Sequence, residues 1–352
     1  MQIVVLGLSL TSSWGNGHAS TYRSLLAALA RRRHQILFLE RDAPWYAGHR
    51  DLTSADYARI ELYTSLDDLQ RRFLPDIESA DLVIVGSYVP EGPAVIDLVL
   101  GRATGVRAFY DIDTPITIAR LNAGQTEYVR PEQISEFDLY LSFAGGPVLE
   151  TLERTFGARR ARPLYCSVDP GEHQPDEQPA RWHLGYLGTY SPDRAAGLRV
   201  RLMEPARLWS DGRFVVAGAE FPPDVAWPGN VDRMDHVPLS DQRRFYSAQR
   251  FTLNLTRTAM SQAGYSPSIR LFEAAACGVP VITDPWPGLE TFFVPGKEIL
   301  VSHSTIETLE FLMDLPEKAR RRIANRARER ALAQHTSDHR AREVEQYVAE
   351  CS

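Results

Sequence analysis

The sequence predicts an α/β protein with two parallel sheets, and three observations support this prediction. Short apolar runs alternate with stretches of helical periodicity along all 352 residues. These runs are apolar on both faces, which is typical of parallel strands covered by helices on both sides. An acidic stretch with three prolines, residues 168–183, has no periodicity and separates two such series. The length fits two ordinary domains joined by that linker.

The first predicted domain covers residues 1–167, and the second covers residues 184–330. The first domain should have strands at residues 3–8, 36–39, 82–86, 107–110 and 139–143, and a helix at residues 19–33. The second should have strands at residues 184–187, 214–217, 251–255 and 279–283, and helices at residues 243–249 and from residue 270. Residues 331–352 predict a helix that packs back on the first domain. Open α/β sheets bind ligands at the carboxyl ends of their strands, so two facing sheets would form a cleft.

Composition excludes several classes of protein. The net charge of −6 argues against a dedicated nucleic-acid binder. Arginines cluster at residues 31–33 and 320–330; these are solvated helix faces or, alternatively, a weak contact with an anionic membrane. The three cysteines stand far apart, which favours a reducing compartment. No signal-peptide pattern and no apolar run near the ~20 residues of a membrane span occur, so we expect a cytoplasmic protein.

The most informative segment is residues 264–284, GYSPSIRLFEAAACGVPVITD. Ser266 and Ser268 lie just ahead of a predicted helix, and Ser268 is a good N-cap residue. Free N–H groups at such a helix start attract phosphate, and Arg270 in the first turn can fork onto a diphosphate. Glu273, one turn further, can accept both hydroxyls of a ribose. Alternatively, Glu273 is an exposed helix residue paired with Arg270, and Ser268 is only a cap.

Several separated blocks carry a resemblance to known enzymes. RLFEAAACGVPVITD resembles the donor-site helix of retaining glycosyltransferases of the GT-B type. Together with GYLGTYSPDR, RFVVAGAEFP, FYSAQRFTLNLTR and SSWGNGH…FLERDAPWY, it is similar to the CgeB-like, spore-maturation-type glycosyltransferases. This resemblance implies a GT-B fold, with two Rossmann-like domains facing a central cleft. It also implies a nucleotide-diphosphate sugar as co-substrate and no other cofactor.

The resemblance assigns roles residue by residue. Glu273 matches the ribose-binding glutamate, and His236 and Val237 fall where the backbone reads the base. The diphosphate contacts would come from Gly188, Thr189, Arg194, Arg257, Ser266, Ser268 and Arg270. One departure concerns Tyr265, because many retaining relatives carry a second glutamate at that position, eight residues before the first. The nucleotide half of the site therefore matches the family, whereas the sugar half differs.

The loop after the first strand contains Gly15, Asn16, Gly17 and His18. It fails as a dinucleotide-binding fingerprint because the third glycine is replaced by Ser20 and the first glycine stands well past the strand. It resembles instead the acceptor-side loop of GT-B enzymes. His18 would be a base or an acceptor contact, with Asn16 and Gly17 near the sugar or acceptor. Alternatively, His18 is a helix residue without a chemical role.

Asp111 and Asp113 follow a predicted strand in FYDIDTP, and three interpretations compete. They could hold a divalent cation, or the first could be a phosphatase nucleophile. Phosphatase sites of this kind carry Thr or Val at the position of Pro115. Neither the metal-binding nor the phosphatase interpretation explains the second domain. The third interpretation places Asp113 at an acceptor hydroxyl or near the anomeric centre, with Asp111 beside it. Asp111 or Asp113 could also simply cap the following helix.

The sequence thus predicts metal-independent sugar transfer, with anomeric retention implied by the resemblance alone. The acceptor is an unknown hydroxyl on a glycan, lipid, small molecule or protein. Two alternatives remain. One is a nucleotide-sugar epimerase of the same fold, and the other is a non-catalytic protein that binds a nucleotide sugar.

Overall fold

A computed structural model describes residues 1–15 and 17–351 of the chain. The chain forms two compact units. The first comprises Met1–Tyr165 together with the segment that begins at Ser337, and the second is Cys166–Thr336. Residues 168–183 therefore belong to the second unit, and the terminal helix belongs to the first.

The first unit is built on a seven-stranded parallel sheet with the order β3-β2-β1-β4-β5-β6-β7. The strands are β1 (Gln2–Gly7), β2 (Gln35–Arg41), β3 (Arg59–Tyr63), β4 (Leu82–Gly86), β5 (Val106–Asp111), β6 (Leu139–Ser142) and β7 (Ala161–Pro163). The helices are α1 (His18–Arg31), α2 (Pro44–Ala47), α3 (Leu66–Ser79), α4 (Gly92–Arg102), α5 (Thr114–Asn122), α6 (Pro131–Ile134) and α7 (Pro147–Arg154). The central strands are apolar on both faces because helices cover both sides of the sheet.

The second unit has a six-stranded parallel sheet with the order β10-β9-β8-β11-β12-β13. The strands are β8 (Trp182–Leu187), β9 (Phe214–Ala217), β10 (Val231–Met234), β11 (Gln249–Asn254), β12 (Val281–Thr283) and β13 (Leu300–Val301). The helices are α8 (Pro192–Leu198), α9 (Glu204–Leu208), α10 (Leu239–Ser247), α11 (Thr258–Ala263), α12 (Ile269–Ala276), α13 (Thr305–Met313) and α14 (Glu317–Gln334), with a π-helical turn, Arg199–Met203, between α8 and α9. Helix α15 (Ser337–Ala349) follows and packs on α1 of the first unit.

Four strands were not predicted, and all four are edge strands: β3, β7, β10 and β13. Strand β13 has only two residues. An edge strand faces solvent along one side, so it does not need the continuous apolar sequence that marks a central strand. Strand β3 reads Arg-Ile-Glu-Leu-Tyr, and β7 has only three residues.

The parallel arrangement determines where polar residues gather. In the second unit, β8, β9, β11 and β12 end at one edge of the sheet, beside the start of α12. In the first unit, β1, β4 and β5 are neighbours and end beside the starts of α1 and α5. Over the part of the chain that the structure describes, no helix has both the length and the apolar character needed to cross a membrane.

Candidate functional site

The start of α12 carries no side-chain cap. Ser268 occupies the N-cap position, as predicted, but its side chain makes no capping hydrogen bond. Its hydroxyl instead donates to Oδ1 of Asn254 at 2.6 Å. Because no side chain caps this end, the first N–H groups of the helix keep the partial positive charge that attracts anions.

Arg270 is fixed at the carboxyl ends of two strands. Only 8% of the residue is exposed. Its Nε donates to the carbonyl of Leu187 at 2.5 Å, and its Nη1 donates to Oδ1 of Asn254 at 2.9 Å. The guanidinium carbon lies 5.0 Å from the centre of the Tyr186 ring. Strands β8 and β11 therefore hold the guanidinium rigidly beside the helix start.

Asn254 is the hub of this arrangement, and sequence reasoning did not identify it. One oxygen accepts from both Ser268 and Arg270, and the amide nitrogen donates to Oγ1 of Thr283 at 2.9 Å. Asn254 is fully buried at the last position of β11. The signal available in the sequence was a lone amide side chain inside the run FTLNL, residues 251–255.

Three predicted phosphate-binding arginines lie close enough to influence one another. Burial lowers the pKa of the Arg194 guanidinium, and the positive charges of Arg270 and Arg257 lower it further. Nη2 of Arg194 donates to the carbonyl of Thr189 at 2.6 Å, and Nε of Arg257 lies 3.9 Å from Oδ2 of Asp193. Like charges gathered at a partly desolvated site repel one another, and a bound anion relieves this cost.

Two glycines allow the strand ends to approach closely. A Cβ atom on Gly188 would lie 2.8 Å from Nη2 of Arg270 and 2.8 Å from the Tyr186 hydroxyl. A Cβ on Gly218 would lie 2.1 Å from the carbonyl oxygen of Gly188, and Gly218 has a φ of +144°. Neither position can accept a side chain without displacing its neighbours. Gly218 was not predicted as part of the site.

Glu273 points to the same side of α12 as Arg270, one turn further on, and is enclosed. Only 3% of the residue is exposed. The Tyr246 hydroxyl donates to Oε2 of Glu273 at 2.9 Å, and Nε2 of His173 lies 3.9 Å from Oε1. Burial, together with the charge of Glu273, raises the pKa of Tyr246. Glu273 is therefore not an exposed helix residue, and neither Tyr246 nor His173 was predicted beside it.

The residues predicted at the nucleotide base differ in their surroundings. His236 is exposed, and the described contacts do not join it to the arginines. Val237 is buried in a cluster that includes Trp182 and Phe245. Because its side chain is in the core, Val237 can offer a ligand only its backbone.

Tyr265 holds an unusual backbone conformation at the position where a second glutamate was expected. Its φ is +48°, and its N–H donates to the carbonyl of Pro287 at 2.8 Å. A Cβ on Gly288 would lie 2.5 Å from the Tyr265 ring. Left-handed φ values are uncommon outside glycine and cluster at functional sites. Ser266, the next residue, is buried.

In the first unit, His18 is the first residue of α1, and 7% of it is exposed. Its Nδ1 has no hydrogen-bond partner among residues 1–15 and 17–351. Burial lowers its pKa, and the negative charge of Asp113 partly opposes that shift. The pKa of His18 therefore lies below that of a free histidine. Gly17 is exposed at the N-cap position, and Asn16 lies outside the described residues.

Asp111 and Asp113 have different environments although they are two residues apart. Asp111 is fully buried and accepts from the Tyr140 hydroxyl at 2.6 Å and from Oγ1 of Thr117 at 2.9 Å. Burial raises the pKa of Asp111 to about 6. Asp113 is half-buried at the N-cap of α5, where its side chain makes no capping bond. Asp111 thus belongs to the buried structure at the end of β5, whereas Asp113 is partly exposed at the start of α5.

Tyr88 packs against His18 and was not predicted. It follows β4 with a φ of +63°. Its ring lies edge-on to the His18 ring at 5.5 Å between centres. Burial, reinforced by the charge of Asp113, raises its pKa to about 12. A left-handed non-glycine residue of this kind costs on the order of 1–3 kcal/mol.

The loop after β1 is held by hydrogen bonds to the carboxylate of Glu40, which is fully buried. One carboxylate oxygen accepts from the N–H of Leu10 at 2.6 Å and from that of Thr11 at 2.9 Å. The other accepts from the hydroxyls of Thr11 at 2.6 Å and Ser9 at 3.2 Å. All four of these hydrogen bonds to the Glu40 carboxylate come from residues of this loop. Glu40 therefore fixes the conformation of the loop that follows β1.

Known proteins resemble both the sequence and the structure. Residues 199–346 match the model of the family described as "Glycosyl transferase-like". No curated protein sequence matches the chain. Sucrose-phosphate synthase from Thermosynechococcus elongatus is 15% identical, with a TM-score of 0.70, and the match covers 99% of each chain.

Two further structures show the same similarity over the whole chain. HepE of Anabaena in complex with UDP-glucose is 13% identical with a TM-score of 0.71, covering 99% of this chain and 100% of that chain. An alpha-glucosyltransferase in complex with UDP-glucose and DNA containing an abasic site is 12% identical with a TM-score of 0.73, covering 99% of each chain. At these identities the comparison is one of architecture. With its two Rossmann-like, parallel-sheet units, the chain has the GT-B fold.

Proposed function

We propose that this protein transfers a sugar from a nucleoside diphosphate sugar to a hydroxyl acceptor. The observation that carries the proposal is a group of arginines at the uncapped start of α12: Arg270 lies against Gly188, and Arg194 donates to the carbonyl of the adjacent Thr189. Nε of Arg257 lies 3.9 Å from Oδ2 of Asp193, the residue before Arg194. Three guanidiniums and a helix start form a site for a group with more than one negative charge. A diphosphate has that charge and that length.

The second unit would then bind the nucleotide. The diphosphate contacts Arg270 and the N–H groups at the start of α12, with Arg194 and Arg257 on its outer side. The close approach of Gly188 and Gly218 leaves backbone rather than side chains next to the phosphates. Glu273 accepts the ribose hydroxyls, with Tyr246 orienting its carboxylate. The base reaches the backbone of Val237.

Transfer breaks the bond between the anomeric carbon and the diphosphate oxygen and forms a bond from that carbon to the acceptor oxygen. The arginines stabilise the charge that develops on the leaving diphosphate. The acceptor proton passes to His18, and Asp113 stabilises the imidazolium that results. Such stabilisation by arginine and helix N–H groups supports a metal-independent reaction. Retention at the anomeric carbon is proposed from the resemblance to retaining enzymes.

UDP-glucose is the first donor to test, because two of the similar structures hold it. The acceptor class is open among glycans, lipids, small molecules and proteins. Tyr265 stands where the acid near the sugar was expected, so this protein selects its donor sugar by different contacts from those of the relatives. A panel of UDP- and GDP-sugars should therefore accompany UDP-glucose.

The first experiment measures UDP binding by calorimetry for Arg270→Lys and for Glu273→Ala. Lysine keeps the charge but cannot make the two hydrogen bonds of Arg270, so we expect affinity to fall at least tenfold, about 1.4 kcal/mol. Arg328→Lys is the matched control, because Nε of Arg328 donates to the carbonyl of Ala276 at the other end of α12. Unchanged affinity in both site variants, or an equal loss in the control, would refute the donor site.

The second experiment follows turnover of each donor by NMR. Release of the nucleotide with transfer or hydrolysis of the sugar supports a transferase. Conversion of the donor to its epimer without release of the nucleotide would identify an epimerase instead. Tight UDP binding with no turnover of any donor would identify a binding protein.

A further inference from the structure

The surroundings of Glu273 include a histidine to which the proposed function gives no role. We propose that Nε2 of His173 binds the same ribose hydroxyl as Glu273, so that the two side chains hold this hydroxyl between them. The inference rests on the proposed function for its ligand, and it deepens that function by adding a second contact to the ribose.

The chain just after His173 is fastened to helix α10. The carbonyl of Pro175 accepts from Nη2 of Arg243 at 3.0 Å, and the N–H of Asp176 donates to Oγ of Ser247 at 3.1 Å. Both partners belong to α10. The position of the histidine in the second unit is therefore set by its own segment and this helix.

Glu273 lies between a tyrosine and a histidine. The Tyr246 hydroxyl donates to Oε2 of Glu273 at 2.9 Å, and Nε2 of His173 lies 3.9 Å from Oε1. The rings of His173 and Tyr246 are 6.4 Å apart between their centres. The two side chains thus approach different oxygens of one carboxylate, with Tyr246 fixing Oε2 and His173 next to Oε1.

The imidazole of His173 is buried, although its polar atoms are not satisfied by the protein. Only 7% of the residue is exposed, and neither Nδ1 nor Nε2 makes a hydrogen bond within residues 1–15 and 17–351. A neutral imidazole has one donor and one acceptor, and leaving such groups unpaired in a buried place costs free energy. We infer that a ligand supplies a partner for this ring.

The distance between His173 and Glu273 fits one bridging oxygen. A separation of 3.9 Å is too long for a direct hydrogen bond, whereas an oxygen about 2.8 Å from each atom would bond to both. A hydroxyl is both donor and acceptor, so it can donate to Oε1 and accept from Nε2 when the ring proton is on Nε2. A ribose hydroxyl has this chemistry.

Two partners on one hydroxyl make the site selective for ribonucleotides. A nucleotide without that hydroxyl leaves a buried carboxylate oxygen and a buried ring nitrogen without their ligand. Sites built around a substrate hydroxyl discriminate strongly against the analogue that lacks it. The wild-type protein should therefore bind UDP at least about tenfold more tightly than one of the two analogues 2′-deoxy-UDP and 3′-deoxy-UDP.

Calorimetry with UDP and these two analogues tests the role of His173. His173→Phe keeps a ring beside Tyr246 but removes both nitrogens. It should bind UDP about tenfold more weakly and bind the disfavoured analogue with wild-type affinity, because that analogue has no bond to lose. A structural role would weaken all three nucleotides alike. Equal losses for all three, or no loss for any, would overturn the proposal.

Two amide variants test Nε2 separately from Nδ1, and they serve if the phenylalanine variant does not fold. The amide nitrogen of glutamine reaches the region of Nε2, whereas that of asparagine reaches only the region of Nδ1. His173→Gln should keep UDP affinity within about threefold of wild type, and His173→Asn should lose about tenfold. Urea unfolding verifies that each variant is folded. Equal UDP affinities in the two amide variants would contradict the assignment of Nε2.

His183→Phe is the matched control in the same unit. Nδ1 of His183 accepts from the N–H of Arg213 at 2.9 Å, near the amino end of β8 and away from the carboxyl ends of the strands. This variant should bind UDP and both deoxy analogues as the wild type does. A tenfold loss of UDP affinity in the control would show that the effect of His173→Phe is not local.

The outcomes distinguish this inference from the proposed function. If Glu273→Ala weakens UDP binding but no His173 variant changes the preference for UDP over its deoxy analogues, the donor site stands and the role of His173 fails. If the wild-type protein binds neither UDP nor GDP, the proposed function fails and the role of His173 fails with it.

Discussion

Nη1 of Arg270 donates to Oδ1 of Asn254 at 2.9 Å, and this bond ties the first turn of α12 to the last residue of β11. Both residues are buried. The same oxygen of Asn254 also accepts from Ser268, the N-cap residue of that helix. One amide thus sets the position of a helix start and of the arginine beside it, and its removal should affect ligand binding and stability together.

Asn254→Ala should weaken UDP binding at least tenfold and lower the free energy of unfolding by about 1–3 kcal/mol. The hydroxyl of Ser268 and the guanidinium of Arg270 would lose their shared acceptor. Calorimetry and urea unfolding measure the two effects. Asn230→Ala is the control, since Nδ2 of Asn230 donates to three carbonyls elsewhere in the same unit. The control should lose stability but keep its affinity; a comparable loss of affinity would show that the effect is not local.

Gly188→Ala should also weaken UDP binding, by tenfold or more, because the new methyl group would lie 2.8 Å from Nη2 of Arg270. The guanidinium or the loop must then move out of position. Gly229→Ala provides a control in the same unit, because a Cβ there meets nothing within 4 Å. Equal UDP affinities for the two variants would mean that the contact between residues 188 and 270 does not shape the site.

Tyr265→Ala should change the choice of sugar without changing the affinity for the nucleotide. The ring packs over Gly288 at the position where relatives carry an acid, whereas Arg270 and Asn254 do not depend on it. We expect the UDP dissociation constant to stay within about twofold of the wild-type value, a difference of ~0.4 kcal/mol. The ratio of kcat/KM values between UDP-glucose and a second UDP-sugar should change by tenfold or more. A constant ratio would remove Tyr265 from the sugar half of the site.

Glu345→Gln should make the pH dependence of stability flatter in acid. Hydrogen bonds from Arg32, acting against a smaller burial effect and aided by His34, hold the pKa of Glu345 at about 2. A carboxylate whose pKa is lower in the folded state stabilises the fold at pH values above its unfolded-state pKa, which is near 4.5. That contribution is lost as the pH falls toward 2.

The free-energy gap between wild type and Glu345→Gln should therefore be constant above pH 5 and should shrink below pH 4.5. Because the pair is partly exposed, we expect about 1 kcal/mol at neutral pH. Glu150→Gln, which breaks a more exposed pair with Arg154, should show a smaller gap. Denaturant unfolding between pH 7 and pH 3 measures both. A gap for Glu345→Gln that does not change with pH would contradict the assignment.

The sequence by itself determined the two-sheet α/β architecture, because central parallel strands must be apolar on both faces and leave a readable pattern. Through the resemblance of the surrounding segments, it also indicated Arg194, Arg257 and Arg270 as candidate contacts of a diphosphate. It did not reveal the edge strands, whose exposed sides relax the demand for apolar residues. Nor did it indicate which polar residue at each strand end would be enclosed and which would face outward.

Only the tertiary structure decided those questions. Asn254, Tyr246 and Tyr88 contact site residues that are distant in sequence, so no local pattern marks them. Asp111 and Asp113 are two residues apart and chemically identical, yet one is sealed between Tyr140 and Thr117 and the other is half-exposed. Periodicity records which residues are buried on average. The partners of a buried polar group depend on how strand ends and helix starts converge, which is a property of the folded chain.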